Sequence, residues 1–130
     1  MQDILPIHFA PLQGYTDAFY RNAHAACFGG IDSYYTPFVR LEKGNFRRRD
    51  VRGIEPENNG VPHLIPQLIA SSAEKAEVIL SLFIEKGYQE VDINLGCPFP
   101  LLAKRHNGSG ILPYPEEVKA LLSIVTRYPQ

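Results

Sequence analysis

Short apolar, β-rich runs alternate along this chain with stretches in which apolar residues return every three or four positions, a pattern that predicts strands and helices in turn. Ile4 to Ala10 is apolar and bounded by Pro11, which predicts a short buried strand. A turn and a helix follow. Thr16 or Asp17 can cap that helix, because either side-chain oxygen can accept from an unpaired first-turn N–H, and Phe19, Ala23, Ala26 and Cys27 then share one face up to a stop at Gly29-Gly30. Ser33 to Val39, dense in aromatic and β-branched residues, predicts a second strand. A basic loop comes next and ends in the turn signal Asn58-Asn59-Gly60. His63 to Ala70 predicts a third strand, in which Pro66 deletes a ladder donor and demands a bulge or a local irregularity.

Ser71-Ser72-Ala73-Glu74 has the form of a capping box, with the Ser71 hydroxyl and the Glu74 carboxylate each satisfying a first-turn N–H. Ala76, Ile79, Leu80 and Phe83 recur at helical spacing, and Gly87 stands where a left-handed C-terminal cap is wanted. Val91 to Leu95 alternates at period two as a fourth strand, and a last helix starts near Pro115 with Val118, Leu121, Leu122 and Val125 on one face. Strand and helix thus alternate about four times, which calls for an α/β fold with a parallel sheet and helices packed outside it. Open sheet and barrel both remain. A complete (β/α)8 TIM barrel takes about 250 residues, so four units within 130 residues correspond to half of one.

Composition narrows the class. With 45% hydrophobic and 21% charged residues, the chain has the balance of one ordinary globular domain. No run reaches the roughly 18 apolar residues of a membrane span, and Met1 to Pro6 lacks the charged and apolar regions of a secretory signal, so a cytoplasmic location with no membrane partner is expected. Cys27 and Cys97 lie far apart and in no Cys-x-x-Cys arrangement; both are expected as free thiols. His8, His24, His63 and His106 have no ligand spacing, so no metal is expected, and they are read as strand, surface or loop residues. The formal charge is only −1, yet Arg40 to Arg52 holds six cations against two anions. That surplus fits contact with phosphates and fits a solvated loop equally well. Tyr34, Tyr35 and Phe38, concentrated on a buried strand, are read as core rather than as a platform for stacking bases.

The most informative segment is Asp92-Ile93-Asn94-Leu95-Gly96-Cys97-Pro98, a strand running directly into a Gly-Cys-Pro turn. Asp92 and Asn94 point to the opposite side from Val91 and Ile93; in a barrel they face the interior, while the apolar pair packs on helices and Cys97 stands at the mouth. Gly96 removes a side chain where something flat can approach, and Pro98 stiffens the turn. A lone cysteine is more often structural than catalytic. Its company at the C-terminal strand ends, where barrel enzymes place their chemistry, weighs the other way.

That company is specific. Ala10-Pro11-Leu12-Gln13-Gly14-Tyr15-Thr16-Asp17, Pro66-Gln67-Leu68-Ile69, Asn94-Leu95-Gly96-Cys97-Pro98 and Asn107-Gly108-Ser109-Gly110-Ile111-Leu112 resemble, in order and spacing, the motifs of the dihydrouridine synthase family. The resemblance implies the N-terminal half of an FMN-binding TIM barrel, residues 1–130, with the second half of the barrel and a C-terminal RNA-binding domain outside this chain. It implies that Pro11 and Leu12 lie against the flavin of FMN, that Gln67 hydrogen-bonds its pyrimidine side, and that Asn94 reaches flavin or uracil. NADPH is the reductant in that family, a uridine in tRNA the substrate, and Cys97 becomes the acid that protonates C5. Such an acid must hold its proton at neutral pH, and the Gly-Cys-Pro turn carries no adjacent cation to draw it off. Lys104, Arg105 and the Arg47 to Arg49 run are candidate phosphate contacts. The family's flavin-phosphate glycine loops, and a lysine and a histidine near the ligands, belong to the second half of the barrel, so this chain alone is expected to be inactive. Two other readings stay open: an FMN barrel acting on a free pyrimidine, and a non-catalytic module that binds RNA or self-associates through unpaired sheet edges.

Overall fold

Four parallel strand runs, in chain order across the sheet, organise this computed structural model, which describes residues 4–128. Of the stretch read as lacking a secretory signal, Met1 to Asp3 lie outside the described residues. The first run is β1 (His8–Phe9), which pairs with β2 (Ser33–Tyr35) through His8 opposite Ser33 and Phe9 opposite Tyr34. The hairpin strands β3 (Leu41–Glu42) and β4 (Asn45–Phe46) stand apart from this sheet. The third run is split into β5 (Leu64–Ile65), paired with β2, and β6 (Gln67–Leu68), paired with β7 (Asp92–Ile93). The helices are α1 (Ala18–Cys27), α2 (Arg48–Ile54), α3 (Ala73–Glu85), α4 (Pro100–Ala103) and α5 (Pro115–Val125), with 3₁₀ turns at Pro56–Asn58 and Gly108–Ile111. Among the described residues the sheet does not close into a barrel.

Pro66 explains the split. It has no N–H to give, although its carbonyl still accepts from Asp92 N at 3.0 Å. On the other side of the run, Thr36 N donates to Ile65 O and Val39 N to Gln67 O, so β2 and its continuation use one residue more than the third run over the same span. The bulge therefore lies in the second strand, at Pro37-Phe38, and shortens β2 from the predicted Ser33 to Val39. Gln67 N, which this bulge would leave unpaired, donates instead to the buried Thr36 hydroxyl at 3.0 Å. Beyond the bulge Val39 rejoins the sheet as a parallel bridge to Leu68.

The core lies between this sheet and the pair α3 and α5. Ala76, Ile79, Leu80 and Phe83 of α3 are buried, as their spacing predicts, with Val39, Leu68, Ile111 and Leu121; Val91, Ile93 and Leu95 pack against the same cluster. Tyr34 and Phe38 are buried, in line with the core reading of those aromatics, whereas Tyr35 is only half-buried. At the end of α3, Gly87 takes φ +88°, Tyr88 N bonds Phe83 O and Gly87 N bonds Ile84 O, a Schellman cap closed by the edge-on Phe83–Tyr88 ring pair. The start differs from expectation by one residue. Ser72, not Ser71, is the N-cap, accepting from Lys75 N at 3.3 Å, while the Ser71 hydroxyl meets Lys75 Nζ. In α5, Leu121 is inside and Leu122 is exposed, because only Leu121 faces the cluster.

Three further expectations are corrected. Ile4, Leu5 and Ile7 are exposed rather than buried, and only His8–Phe9 of that run is paired, since no described element covers the outer side of β1. In α1, capped by Asp17 rather than Thr16, the predicted apolar face of Phe19, Ala23, Ala26 and Cys27 is the solvent face. The inner face carries Arg21 and His24. His24, a helical residue, packs at a tilt against the Phe9 ring and bonds the Tyr34 hydroxyl at 2.9 Å. Arg21 is fully buried and donates to Thr16 O, Gly53 O and Asn59 Oδ1 at 2.6 to 2.8 Å, tying α1 to α2 and the following turn. Burial pushes its pKa down to about 10, opposed by the nearby Tyr88 and Asp17. Finally, Arg40 to Arg52 is not an open loop but the β3–β4 hairpin, turned by Lys43 and Gly44 at positive φ, followed by α2.

The register of the α3 cap is testable by urea unfolding. Ser72→Ala should cost about 1 kcal/mol, whereas Ser71→Ala, which touches only an exposed ammonium, should change stability by less than about 0.5 kcal/mol. The reverse order contradicts the cap described here.

Candidate active site

The C-terminal ends of the third and fourth strand runs are joined by a chain of side-chain hydrogen bonds. Because alternate residues of a strand share a face, Asp92 and Asn94 project to the side away from Val91, Ile93 and Leu95, and Gln67 of β6 comes level with them through the Gln67–Asp92 pairing. Gln67 Nε2 donates to Asp92 Oδ2 at 2.6 Å, and Asn94 Nδ2 donates to Gln67 Oε1 at 3.0 Å. Asn94 Oδ1 in turn accepts from Cys97 N at 2.9 Å and Gly96 N at 3.2 Å, so one amide folds the Gly-Cys-Pro turn back over the strand end. Gln67 is buried. Each amide group has two N–H bonds and uses one of them in this chain.

Cys97 is half-buried, resting on Phe38, Ile69 and Leu102, and is a free thiol, as is the exposed Cys27. Its carbonyl oxygen receives two donors from one residue, Ser109 N and Ser109 Oγ, both at 3.0 Å. Gly108 makes this approach possible. It has φ +57°, and a Cβ there would lie 2.7 Å from Cys97 O and 2.9 Å from Cys97 Cβ. Gly110 is constrained by space alone, since a Cβ there would collide with the Ala103 carbonyl. The glycine-rich segment is thus a clamp on the cysteine turn. Gly96 contrasts with it: nothing among the described residues lies within 4 Å of where its Cβ would be, so that side of the turn is open.

Pro11 and Leu12 sit in the turn after β1, at the same end of the parallel sheet, with no hydrogen bond to the amide chain among the described residues. The turn is tight. Leu12 N donates to Thr16 Oγ1 at 2.8 Å, and Tyr15 N and Thr16 N both donate to Leu12 O, leaving the Leu12 side chain exposed. Lys104 and Arg105 are exposed immediately after α4. The arginine run divides by burial. Arg47 is largely buried, paired with Asp50 at 2.8 Å and lying over the Phe38 ring, while Arg48 and Arg49 are exposed. With its amide oxygen turned toward them, Gln13 accepts from Arg47 Nη2 and Arg49 Nη2 at 3.2 and 3.3 Å. Among the described residues no group of three acidic, histidine or cysteine side chains is arranged to hold a metal, and no helix is long and apolar enough to cross a membrane.

The structure therefore unites Gln67, Asn94 and the Cys97 turn, puts Pro11 and Leu12 in the turn after β1, which the second strand separates from the third run, and leaves Lys104 and Arg105 exposed after α4. Asp92 and Ser109 join the site without having a site role in the sequence reading. The spacing of the glycines after Cys97 is the available signal for Ser109, and the period-two alternation for Asp92.

Paired amides and a clamped cysteine at the strand ends of a parallel sheet define an α/β protein with its candidate site at the C-terminal end of the sheet. The chain belongs to the dihydrouridine synthase family, whose model matches residues 8–128. It is 25% identical over 118 residues to tRNA-dihydrouridine synthase B of Klebsiella pneumoniae, covering 91% of this chain and 36% of that protein. It is 29% identical over 122 residues to probable tRNA-dihydrouridine synthase 1 of Synechocystis sp., covering 89% of this chain and 32% of that protein. Against tRNA-dihydrouridine synthase B of Vibrio vulnificus the identity is 37% over 60 residues, 46% of this chain and 16% of the relative. The chain spans about a third of the length of the first two relatives.

The two glycines near Cys97 should respond differently to the same substitution. Gly108→Ala should lower stability by on the order of 2 kcal/mol or more, through strain at positive φ and the clash with Cys97, whereas Gly96→Ala should leave the thermal midpoint nearly unchanged. Equal effects would contradict the clamp.

Proposed function

We propose that this chain is the N-terminal half of the FMN barrel of a cytoplasmic tRNA-dihydrouridine synthase, with Cys97 as the acid that protonates C5 of a uridine in tRNA. The observation that carries the proposal is the hydrogen-bonded unit of Gln67, Asn94 and the Cys97 turn at the strand ends. An imide edge, carbonyl beside N–H, is common to flavin and uracil, and the free N–H bonds of Gln67 and Asn94 together with the second lone pair of Gln67 Oε1 suit such an edge. The open side of Gly96 and the exposed Leu12 suit a flat ring. The ring of FMN fits these residues; its phosphate has no glycine loop here, and the second half of the barrel would supply one.

When bound and reduced by NADPH, FMN would supply the hydride for C6 of the uridine. The tasks of this chain are then to orient and to protonate. Gln67 and Asn94 fix the ring edges, and Pro11 with Leu12 gives an apolar seat. As negative charge develops on the uracil, the Cys97 thiol gives its proton to C5, and the resulting thiolate recovers one from water. General acid catalysis of this kind contributes about 10²- to 10⁴-fold. A uridine within tRNA must leave its stack to reach the site, so shape and phosphate contacts accompany base recognition. Lys104, Arg105, Arg48 and Arg49 are exposed cations available for such contacts; Arg47 is largely buried against Asp50 and the Phe38 ring. An RNA-binding domain elsewhere in the whole protein would set which uridine is reached.

The uncovered side of β1, with Ile4, Leu5 and Ile7 exposed, and the unpaired outer edge of β7 are where the second half of the barrel would close. Pairing of two copies of this chain along the same edges is the alternative, and it follows from the same unpaired groups.

Titration of the 130-residue chain with FMN tests the proposal. At about 1 mM FMN the side-chain amide NMR signals of Gln67 and Asn94 should shift, while no flavin should survive gel filtration. Shifts confined to other residues contradict the ring site, and stoichiometric retention contradicts the assignment of the phosphate site to the second half of the barrel. In the whole protein, Cys97→Ala should lower the rate of dihydrouridine formation by about 10²-fold or more without weakening tRNA binding; an unchanged rate removes Cys97 as the acid.

A further inference from the structure

Asp92 stands at one end of the amide chain, and backbone N–H groups stand at the other. A carboxylate can only accept, and the N–H groups of Gly96 and Cys97 can only donate. Between them, Gln67 and Asn94 must both orient with nitrogen toward Asp92 and oxygen toward the cysteine turn, as the four contacts at 2.6 to 3.2 Å have it. The terminal groups, rather than the amides, therefore determine the orientation. We infer that Asp92 is a positioning residue whose carboxylate, acting with the Gly96 and Cys97 N–H groups at the other end, sets the hydrogen-bond polarity of Gln67 and so determines which way round the site reads an imide edge.

Turning Gln67 over would set its oxygen against the Asp92 carboxylate and its nitrogen against Asn94 Nδ2, so both ends of the chain oppose the exchange, and Asp92 opposes it as a pure acceptor. The ligand consequence rests on the function proposed above. With Asp92 in place, Gln67 offers an N–H on the Asp92 side and a lone pair on the Asn94 side. A ring already seated by its apolar face then meets a donor and an acceptor in one fixed order. A turned amide would set donor against N–H and oxygen against carbonyl.

Exchanging the residue types at positions 92 and 94 separates polarity from mere packing. Asp92→Asn alone keeps an oxygen available to Gln67 Nε2, so its thermal midpoint should stay within a few degrees of the parent. Asn94→Asp alone leaves Gln67 between two carboxylates, one of which must face its oxygen, and should lower the midpoint by on the order of 10 °C. The double variant Asp92→Asn/Asn94→Asp restores a complete chain of opposite polarity. In it the new amide at position 92 donates to a turned Gln67, and Gln67 donates to the new carboxylate at position 94, which still accepts from the N–H groups of Gly96 and Cys97. It should recover most of the lost midpoint. A double variant no more stable than the sum of the single changes, or one that fails to fold, overturns the inference, and neither result depends on flavin.

Separate titrations with FMN and with uridine then ask which imide the polarity serves. The ligand that shifts the Gln67 amide signals in the parent chain should do so at least tenfold more weakly in the refolded double variant. Equal response in both proteins would falsify the link from polarity to recognition. A parent chain that responds to neither ligand counts against the proposed function alone and leaves the stability result to decide the role of Asp92.

Discussion

The site depends on one hydrogen-bonded sequence that runs in a single direction, from the N–H groups of the Gly96-Cys97 turn through Asn94 and Gln67 to the Asp92 carboxylate. Such a sequence crosses from β6 to β7 and out into the turn, so it couples the register of the sheet to the placement of the thiol. A slip of one residue in the Gln67–Asp92 pairing would turn one partner to the opposite face and break every link between the strands at once. Much else serves that register. The bulge at Pro37-Phe38 and the Thr36 hydroxyl take up the irregularity beside Pro66, and Ser109 holds the Cys97 carbonyl from the far side of the turn. In a partly buried setting, breaking any of these links would leave both partners unpaired at a cost, which makes the continuous arrangement self-reinforcing.

The elements legible from sequence are those whose pattern and burial agree. Helix α3 is readable in its apolar spacing and its Gly87 cap, because one face meets the sheet and the other meets water. The alternation of Val91 to Leu95 is readable for the same reason. Helix α1 reads the wrong way round because its buried face is polar: Arg21 is held inside by three hydrogen bonds, two of them to groups distant in sequence, a source of stability that no local apolar pattern announces. The Ser71–Ser72 pair offers two caps one residue apart, and only the path of the incoming strand selects between them. The hairpin and helix within Arg40 to Arg52 are hidden by charge, although Lys43-Gly44 is a turn in its own right.

The candidate site is legible in part. Motif resemblance draws attention to Gln67, Asn94 and Cys97, and these are the residues the fold brings into contact. The partners that orient them, Asp92 and Ser109, act across strand pairing or through a turn brought back in space, and such relations are not written in spacing. Exposed apolar residues tell a complementary story. Ile4, Leu5, Phe19 and Phe28 are on the outside of the β1–α1 side of the sheet, which has the composition of an interior without a neighbour. The amide sequence does not depend on that side, since it uses only two neighbouring strand ends and their own turn.

The most direct measurement is amide hydrogen exchange in the ligand-free chain, comparing Cys97 and Ser109 with the exposed hairpin turn at Lys43-Gly44. A site built by its own hydrogen bonds predicts that the Cys97 and Ser109 amides are protected by orders of magnitude more than Gly44, although all three lie outside the α-helices and strands. Exchange at Cys97 and Ser109 as fast as at Gly44 would mean that the turn is ordered only when something binds, and the account of a preformed site would be wrong.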